Sequence, residues 1–339
     1  MSPARFRRRV RRELAALRRE GVLDDAGFSA LAARYPDAGW DWRSLGRWFA
    51  IFGGISAAAG VVLLGRELLG FSLARLAAVL GVCVVAAFAG GLRLRRRGGY
   101  HWTPRGLELL GGLLVIALTF TVGAIISAGS GNWPALLLID LGVLLVLAYV
   151  LDNLLLLIAA AVVFFAWFGG ATGYASGWGV YWFGMSYPLR FLLAGLAVAL
   201  AGGLHRLAEA GPLARYRGFF LVWLSAGVFF AEMALWLLSL FGSFELSDGF
   251  HRAGAGELWL FNLAWLGLNA ALMSLGIRYR LRMLRGYAWT FLVIQGYTQF
   301  FRFFGHALGP VFTGFVMGAA TLALVVWAER RRREASGTG

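Results

Sequence analysis

Long apolar runs separated by short polar stretches dominate the sequence. Between Leu45 and Ala328 these runs reach about 20 residues, the length that a helix needs to cross the hydrocarbon core of a bilayer. Ten runs meet this criterion: Leu45–Leu64, Leu73–Leu92, Leu107–Ala128, Pro134–Leu151, Asn153–Phe168, Leu189–Leu207, Phe219–Phe241, Leu258–Ile277, Tyr287–Ala307 and Val311–Ala328. The pattern predicts an all-α fold, a polytopic transmembrane helix bundle of about ten spans.

The fourth and fifth predicted spans are separated by almost no loop. Asp152 is the single residue between Leu151 and Asn153, so the two spans must reverse direction within a few residues. If Asp152 is buried, this region is instead one long tilted or re-entrant hairpin. The sequence leaves both arrangements open.

Before the first span, the apolar period predicts a small helical hairpin. The apolar residues of each helix share one face: Phe6, Val10, Leu14 and Leu17 in the first, and Phe28, Leu31 and Tyr35 in the second. Gly21 is well placed to end the first helix, and Asp24 or Asp25 can cap the second before Pro36 ends it. Arginines cover the outer faces of this hairpin.

Composition agrees with a membrane protein. Of the 339 residues, 60% are hydrophobic and 14% are charged, whereas about 25% are charged in an average soluble domain. This excludes an ordinary soluble enzyme. All 32 basic residues are arginines and the net charge is +15, which could indicate a nucleic-acid or other acidic partner.

The placement of the arginines predicts the orientation, because cationic residues beside short loops stay on the cytoplasmic side. The N-terminal segment, alternate loops and the C-terminal tail carry 27 arginines and 11 acids, or +16, whereas the opposite loops carry four of each. Both termini are therefore predicted to be cytoplasmic, and most of the net charge is a topological signal. Arg302, Asp140 and Glu232 lie well inside predicted spans.

These features divide the chain into five parts. They are a cytoplasmic amphipathic hairpin (1–43), a first five-span membrane half (44–170), an extracytoplasmic glycine- and aromatic-rich segment (171–188), a second five-span half (189–328) and a basic cytoplasmic tail (329–339). We expect the hairpin to dock on anionic lipid, with a partner protein as the alternative. Nucleic-acid binding is disfavoured, because recognition needs base-reading side chains on an exposed face.

Two stretches of the first half are similar to a known family. The first comprises Arg12–Leu17, Gly21–Asp25 and Leu31–Tyr35, and the second comprises Trp133–Leu138, Leu147–Leu151, Leu154–Ala160 and Trp167. Both resemble a family of predicted bacterial membrane proteins, the domain of unknown function 2157. The chain departs from this family at the end of the first span, where Gly65-Arg66-Glu67-Leu68 replaces an Asn-Trp pair. The resemblance implies a bacterial inner-membrane location and no catalytic residues.

A line of polar side chains marks the ninth predicted span. Its members recur at i, i+3, i+4, i+7 and i+11 and so share one helical face: Gln295, Thr298, Gln299, Arg302 and His306. Counting from the outer ends of the spans places Glu232, Asn262 and Asn269 at matching depths. We expect a buried polar cluster in which Glu232 lies level with Gln299 and Arg302. Asp140 either joins this cluster or stands apart.

Two interpretations of the polar cluster remain open. Asn and Gln between membrane helices often act as interhelical hydrogen-bonding groups, and a Glu232–Arg302 pair could simply stabilise packing. Charged side chains inside a span are costly, however, and for that reason they also indicate binding or conduction sites.

The stretch from Gly169 to Pro188 combines glycines with aromatic rings that settle at headgroup level. These rings belong to Tyr174, Trp178, Tyr181, Trp182 and Tyr187. We expect an interfacial cover for the bundle, and a lid over an outward-facing cavity is the alternative.

Small residues predict close helix packing on two spans, either within the protein or between copies. They are Gly195, Ala199 and Gly203 on the sixth span, and Gly314 and Gly318 on the last. A homo-oligomer or a partner in a membrane complex is therefore a possible assembly.

Catalytic chemistry has no recognisable pattern in the sequence. No HExxH, CxxC, P-loop, GxSxG or Rossmann glycine motif occurs. The four histidines divide between the two predicted sides of the membrane, and Cys83 lies alone in an apolar run. We therefore expect no enzyme, no cofactor and no metal site.

The leading hypothesis is an integral inner-membrane protein that binds or transports a small solute, ion or lipid. Its route is a polar cavity in the last four spans that opens outward beside His306. The alternative is a non-catalytic scaffold or accessory subunit, whose hairpin and small-residue faces bind a larger membrane complex.

Overall fold

The computed structural model describes residues 3–35, 42–126, 132–177, 182–243 and 253–309, with isolated positions between 312 and 326. Within these ranges every regular element is a helix, apart from one isolated bridge that pairs Trp182 with Met185. The predicted all-α fold is confirmed.

The described ranges form eleven α-helices. They are α1 (Pro3–Arg19), α2 (Asp25–Arg34), α3 (Trp42–Leu63), α4 (Leu73–Arg97), α5 (Thr103–Ile126), α6 (Trp133–Val150), α7 (Leu154–Ala175), α8 (Tyr187–Ala208), α9 (Phe220–Phe241), α10 (Ala255–Arg278) and α11 (Arg282–Leu308). A π-helical turn, Leu64–Leu68, continues α3, and a 3-10 turn, Ala214–Tyr216, precedes α9.

Eight of these helices are long and apolar enough to cross a membrane, and they correspond to the first eight predicted spans. The ninth predicted span lies in α11, whose 27 residues extend about 40 Å but whose apolar surface is interrupted by polar side chains. Most of the tenth, 311–328, lies outside the described residues. The described chain is thus a multi-pass membrane protein with eight candidate spans, against the ten predicted.

The predicted N-terminal hairpin consists of α1 and α2. Gly21 adopts a φ of +73°, in the left-handed region that glycine tolerates best, and lies just beyond the first helix. Asp24 caps α2 by accepting a hydrogen bond from Gly27 N at 2.8 Å. The Arg18 guanidinium pairs with Asp25 and lies 5.1 Å from the centre of the Phe28 ring. These contacts connect the two helices from the arginine-rich side.

The chain divides into two compact units, Met1–Ala160 and Ala161–Gly339, with the boundary inside α7. This boundary lies ten residues before the predicted end of the first half at residue 170. In the first unit, Ala58 of α3, Leu76 and Leu80 of α4 and Leu114 of α5 form a buried apolar core.

The reversal between α6 and α7 is a tight turn rather than a long hairpin. Asp152 adopts a φ of +49°, a left-handed conformation that aspartate tolerates better than most residues. The fully buried Asn153 accepts a hydrogen bond from Leu155 N at 2.9 Å and thereby caps α7. The fourth and fifth predicted spans are therefore two separate helices.

In the second unit, glycines allow α8 and α9 to approach backbone to backbone. A Cβ atom added to Gly227 would lie 2.3 Å from Ala199 N, and one added to Gly202 would lie 2.5 Å from Leu224 N. The small-residue face predicted on α8 therefore packs against α9 within the protein. Gly203 is not part of it, because a Cβ there meets nothing within 4 Å. Gly202 lies seven residues, or about two turns, after Gly195 and therefore shares its face of α8. Gly203 lies one residue further and is rotated off that face.

The three-helix group α9–α11 completes the described part of the second unit and contains most of the predicted site residues. The Ser225 and Tyr287 hydroxyls are 2.8 Å apart, and Trp236 Nε1 donates to Thr298 Oγ1 at 3.0 Å. Both pairs join residues 62 positions apart, so α9 and α11 run parallel. The buried Trp265 packs from α10 against Leu238 and other apolar side chains of the group.

The glycine- and aromatic-rich segment is shorter than predicted, because α7 continues to Ala175. Trp178 and Tyr181 lie outside the described residues. Trp182 and Met185 exchange two backbone hydrogen bonds in a tight turn. The buried Arg190 side chain donates from Nε to the Met185 carbonyl at 2.8 Å and so attaches this turn to α8.

Candidate functional site

Glu232, near the middle of α9, has no exposed surface. Its Oε2 atom accepts hydrogen bonds from Trp265 Nε1 at 2.6 Å and from Asn269 Nδ2 at 3.4 Å. Within the described residues, Oε1 has no donor. The carboxyl group therefore lies at membrane depth with two uncharged donors on one oxygen and none on the other.

Three amide side chains beside Glu232 have a defined orientation. Asn262 Nδ2 donates to the Leu258 carbonyl at 2.8 Å, Asn269 Nδ2 to the Trp265 carbonyl at 3.0 Å, and Gln295 Nε2 to the Asn262 carbonyl at 2.9 Å. Because a backbone carbonyl can only accept, the amide nitrogen must occupy each of these positions. The three side-chain oxygens are buried and have no donor among the described residues.

The three-helix group thus contains four buried oxygens without a hydrogen-bond donor in the described chain. They are Glu232 Oε1, Asn262 Oδ1, Asn269 Oδ1 and Gln295 Oε1. Each unsatisfied buried polar atom costs about 1–3 kcal/mol. The arrangement is suited to a ligand that donates hydrogen bonds or carries positive charge.

Arg302 does not lie level with Glu232. Its Nη1 atom donates to the Ser239 carbonyl at 3.0 Å, and Ser239 is two turns, or about 10 Å, beyond Glu232 on α9. The predicted common depth is wrong because it was counted from the outer ends of the helices, and α11 extends beyond the level at which α9 ends. In the described chain Arg302 and Glu232 do not form a pair.

The predicted cluster is therefore an elongated polar row with two ends of opposite charge. The carboxylate end comprises Glu232 and Asn269, and the guanidinium end comprises Asn262, Gln299 and Arg302. Gln295 lies between the two ends, because its amide donates to the Asn262 carbonyl. Asn262 Nδ2 approaches the Ser239 carbonyl at 3.4 Å, beside the Arg302 contact. Gln299 Nε2 is buried with no acceptor in the described chain. The side chain of His306 lies outside the described part of α11.

Asp140 belongs to the first unit, whereas the polar row belongs to the second. It lies at the middle of α6, has no exposed surface, and neither of its oxygens has a donor among the described residues. Thr119 of α5 is its polar neighbour. The Thr119 hydroxyl already donates to the Val115 carbonyl at 3.0 Å.

Sequence reasoning missed a charged cluster in the first unit. Arg95 donates to both oxygens of the buried Glu108, at 3.0 and 2.6 Å, and Asn153 Nδ2 donates to Glu108 Oε2 at 2.7 Å. A third Arg95 nitrogen donates to the Leu151 carbonyl at 2.6 Å. The sequence analysis counted Arg95 and Glu108 as charges of a cytoplasmic loop. Opposite charges are common in such loops, so their presence alone does not indicate which of them form pairs.

Trp265, the principal donor to Glu232, was also missed. It lies three residues after Asn262 and four residues before Asn269, so the three side chains share one face of α10. A tryptophan between two asparagines in the middle of a span was the available signal, because a buried indole N–H needs an acceptor.

Metal-ligating side chains do not assemble in the ranges that the structure describes. No three His, Cys, Asp or Glu residues come together there. The polar row therefore offers amide oxygens, one carboxylate, one amide nitrogen and one guanidinium to a ligand.

Comparisons of the chain with protein-family models, with curated proteins and with solved structures found no match. The resemblance of residues 1–170 to the domain of unknown function 2157 stays a prediction.

Proposed function

We propose that this multi-pass membrane protein binds a small polar solute along the polar row of α9–α11 and moves it across the membrane. The observation that carries the proposal is the set of four buried oxygens that lack a donor within the described residues. A solute with hydrogen-bond donors would remove their desolvation cost, and that gain would be available only when the solute is bound.

Five hydrogen bonds of the row join neighbouring helices, but two others lie within one helix and have no structural role between helices. Asparagines that hold helices together use their amides between helices, but Asn262 and Asn269 direct their closest N–H bonds to carbonyls four residues earlier on α10 itself. These bonds add nothing to the attachment of α10 to its neighbours. Their main consequence is to leave the two side-chain oxygens available to another group.

The location belongs to the same proposal. We place the protein in the cytoplasmic (inner) membrane of a bacterium with both termini in the cytoplasm, on the arginine distribution of the sequence. The solute would then enter from the side on which α9 ends and α10 begins, where the guanidinium end of the row lies.

Liposome swelling tests the proposed transport. Liposomes containing the protein should swell faster than protein-free liposomes in at least one iso-osmotic solution of 5-aminopentanoate, pentylammonium chloride, sodium pentanoate or glycerol. Glu232→Gln removes the negative charge but keeps an acceptor for Trp265, so the fold should persist while the solute-specific rate falls about tenfold or more, equivalent to one lost charged contact. Glu67→Gln, at an exposed carboxyl, is the matched control and should swell normally.

Two outcomes would contradict the proposal. Swelling no faster than in protein-free liposomes with every solute would exclude transport of such solutes. Unchanged swelling of the Glu232→Gln protein would exclude the polar row as the route.

The N-terminal hairpin is proposed to lie on anionic lipid. In nanodiscs containing phosphatidylglycerol, amide hydrogen exchange in α1 should be slower than in nanodiscs of phosphatidylcholine alone, because each arginine near an anionic surface gains about 1 kcal/mol. Raising the salt concentration to about 0.5 M should remove most of the difference by screening. Equal exchange in the two lipids would instead favour a protein partner for the hairpin.

A further inference from the structure

The polar row contains a carboxyl group and a guanidinium group that do not pair with each other. Glu232 receives hydrogen bonds only from an indole and an amide, and Arg302 donates to a backbone carbonyl. Neither has an ionic partner among the described residues. Because isolated charges in a membrane bundle are costly, a row whose carboxyl and guanidinium groups have no ionic partner within the described residues is suited to a ligand that supplies a counter-charge to each.

The unpaired atoms follow the same polarity with one exception. Glu232 Oε1 and Asn269 Oδ1 are acceptors at the carboxylate end, and Gln295 Oε1 is a third acceptor between the two ends. At the guanidinium end Gln299 contributes a buried Nε2 donor without an acceptor in the described chain, beside the charged donors of Arg302, and the exception is Asn262 Oδ1, an unpaired acceptor at the same end. The row therefore offers acceptors to a cationic group at one end, and two donor groups and one acceptor to an anionic group at the other.

We propose that the solute is a small zwitterion, bound with its ammonium group at the carboxylate end and its carboxylate or phosphate at the guanidinium end. This inference rests on the proposed function and names its substrate class. A primary ammonium has three N–H donors for the three oxygens, and a carboxylate or phosphate matches a guanidinium in charge and hydrogen-bond geometry.

The length of the row limits the separation of the two charges. Gln295 and Gln299 are one turn apart, about 6 Å, and Glu232 and Ser239 are about 10 Å apart along α9. A zwitterion whose charges are several bonds apart fits this interval, as in an ω-amino acid or a phosphoethanolamine headgroup. An α-amino acid, with its charges on adjacent groups, reaches one end of the row only.

Simpler ligands satisfy half of the row. A lone cation would compensate Glu232 but would add a positive charge to a row that already contains Arg302. A lone anion would compensate Arg302 and leave the oxygens of the carboxylate end without donors. Unlike either single ion, a zwitterion supplies an opposite charge to both ends of the row while adding no net charge.

Ligand-induced thermal stabilisation of the purified full-length protein tests the proposal. The probes are 5-aminopentanoate and its two half-analogues, pentylammonium and pentanoate. We expect 5-aminopentanoate to raise Tm in a saturable manner and each half-analogue to bind at least about tenfold more weakly, because it leaves one charge of the row unpaired. Glu232→Gln and Arg302→Gln should each weaken 5-aminopentanoate binding by a similar factor, and Glu67→Gln and Arg278→Gln, at exposed positions, should not.

A second experiment decides whether the zwitterion is a lipid headgroup or a free solute. If phosphatidylethanolamine in nanodiscs raises Tm relative to phosphatidylcholine, and both row variants lose this shift, the ligand is a lipid headgroup. If 5-aminopentanoate stabilises the protein and phosphatidylethanolamine does not, the ligand is a free solute. Either result supports a zwitterion.

Failure of the inference is distinguishable from failure of the proposed function. If pentylammonium or pentanoate binds as tightly as 5-aminopentanoate, or if neither zwitterion binds, the zwitterion proposal is overturned. The proposed function then stands if liposomes swell in another solute through a Glu232-dependent route, and it falls if they do not. Arg302→Lys, which keeps the charge, should retain part of the binding and thus separates loss of charge from misfolding.

Discussion

Replacing Gly227 with alanine will destabilise the protein by about 3 kcal/mol or more, the upper end of the cost of overpacking. The added Cβ would lie 2.3 Å from Ala199 N and 2.5 Å from the Gly195 carbonyl oxygen. Both are backbone atoms that no side-chain rotation can move, so α8 and α9 must separate. In thermal unfolding of the purified protein, this corresponds to a fall in Tm of roughly 10 °C.

Gly203→Ala is the matched control for this prediction. The same methyl group is added to α8, but it meets no atom within 4 Å, and alanine is favoured over glycine in a helix by about 0.5–1 kcal/mol. Tm should stay the same or rise slightly. A fall in Tm as large as that of Gly227→Ala would show that the α8–α9 contact is not as close as described.

Replacing Glu108 with leucine will destabilise the first unit, whereas the same change at Asp140 will stabilise it. Both carboxyl groups are fully buried, but Glu108 accepts three hydrogen bonds from Arg95 and Asn153, and Asp140 accepts none from the described residues. Breaking a buried charge pair costs about 3–5 kcal/mol. We expect about 3 kcal/mol at Glu108, because Arg95 is 35% exposed and can partly turn to solvent.

At Asp140 the leucine removes an unsatisfied carboxyl group in favour of an apolar side chain of similar shape. The gain should be about 1–3 kcal/mol. Thermal unfolding of both variants in one detergent measures the contrast, with Glu67→Leu as an exposed control. If Asp140→Leu lowers Tm as Glu108→Leu does, Asp140 has a stabilising partner and this account of the first unit is incorrect.

Periodicity and charge predicted the elements of this fold because each depends on neighbours in sequence. The apolar stripe of α1, the Asp24 cap and eight of the ten spans were all predictable in this way. The tight reversal at Asp152 could not be decided from the sequence, because it depends on the environment of Asn153. That environment is supplied by residues more than 40 positions earlier in the chain.

The candidate site was predictable in composition but not in arrangement. Costly polar residues in apolar spans identified Glu232 and Arg302, since that signal is local. Their relative depth depends on how far α11 extends beyond α9, and Trp265 became a donor only through packing between helices. The offset between two helices and the contacts between their side chains are tertiary properties. They cannot be calculated by counting residues from the end of each predicted span.

The turn between α6 and α7 has a consequence for the order of synthesis. The Asn153 side chain donates to the Arg105 carbonyl and to the Glu108 carboxyl group, and both residues precede it in the chain. Both acceptors of its side-chain amide have therefore been synthesised when Asn153 emerges from the ribosome. The turn can therefore form while the second unit is still being translated, so α9–α11 are synthesised after both acceptors of this turn are in place.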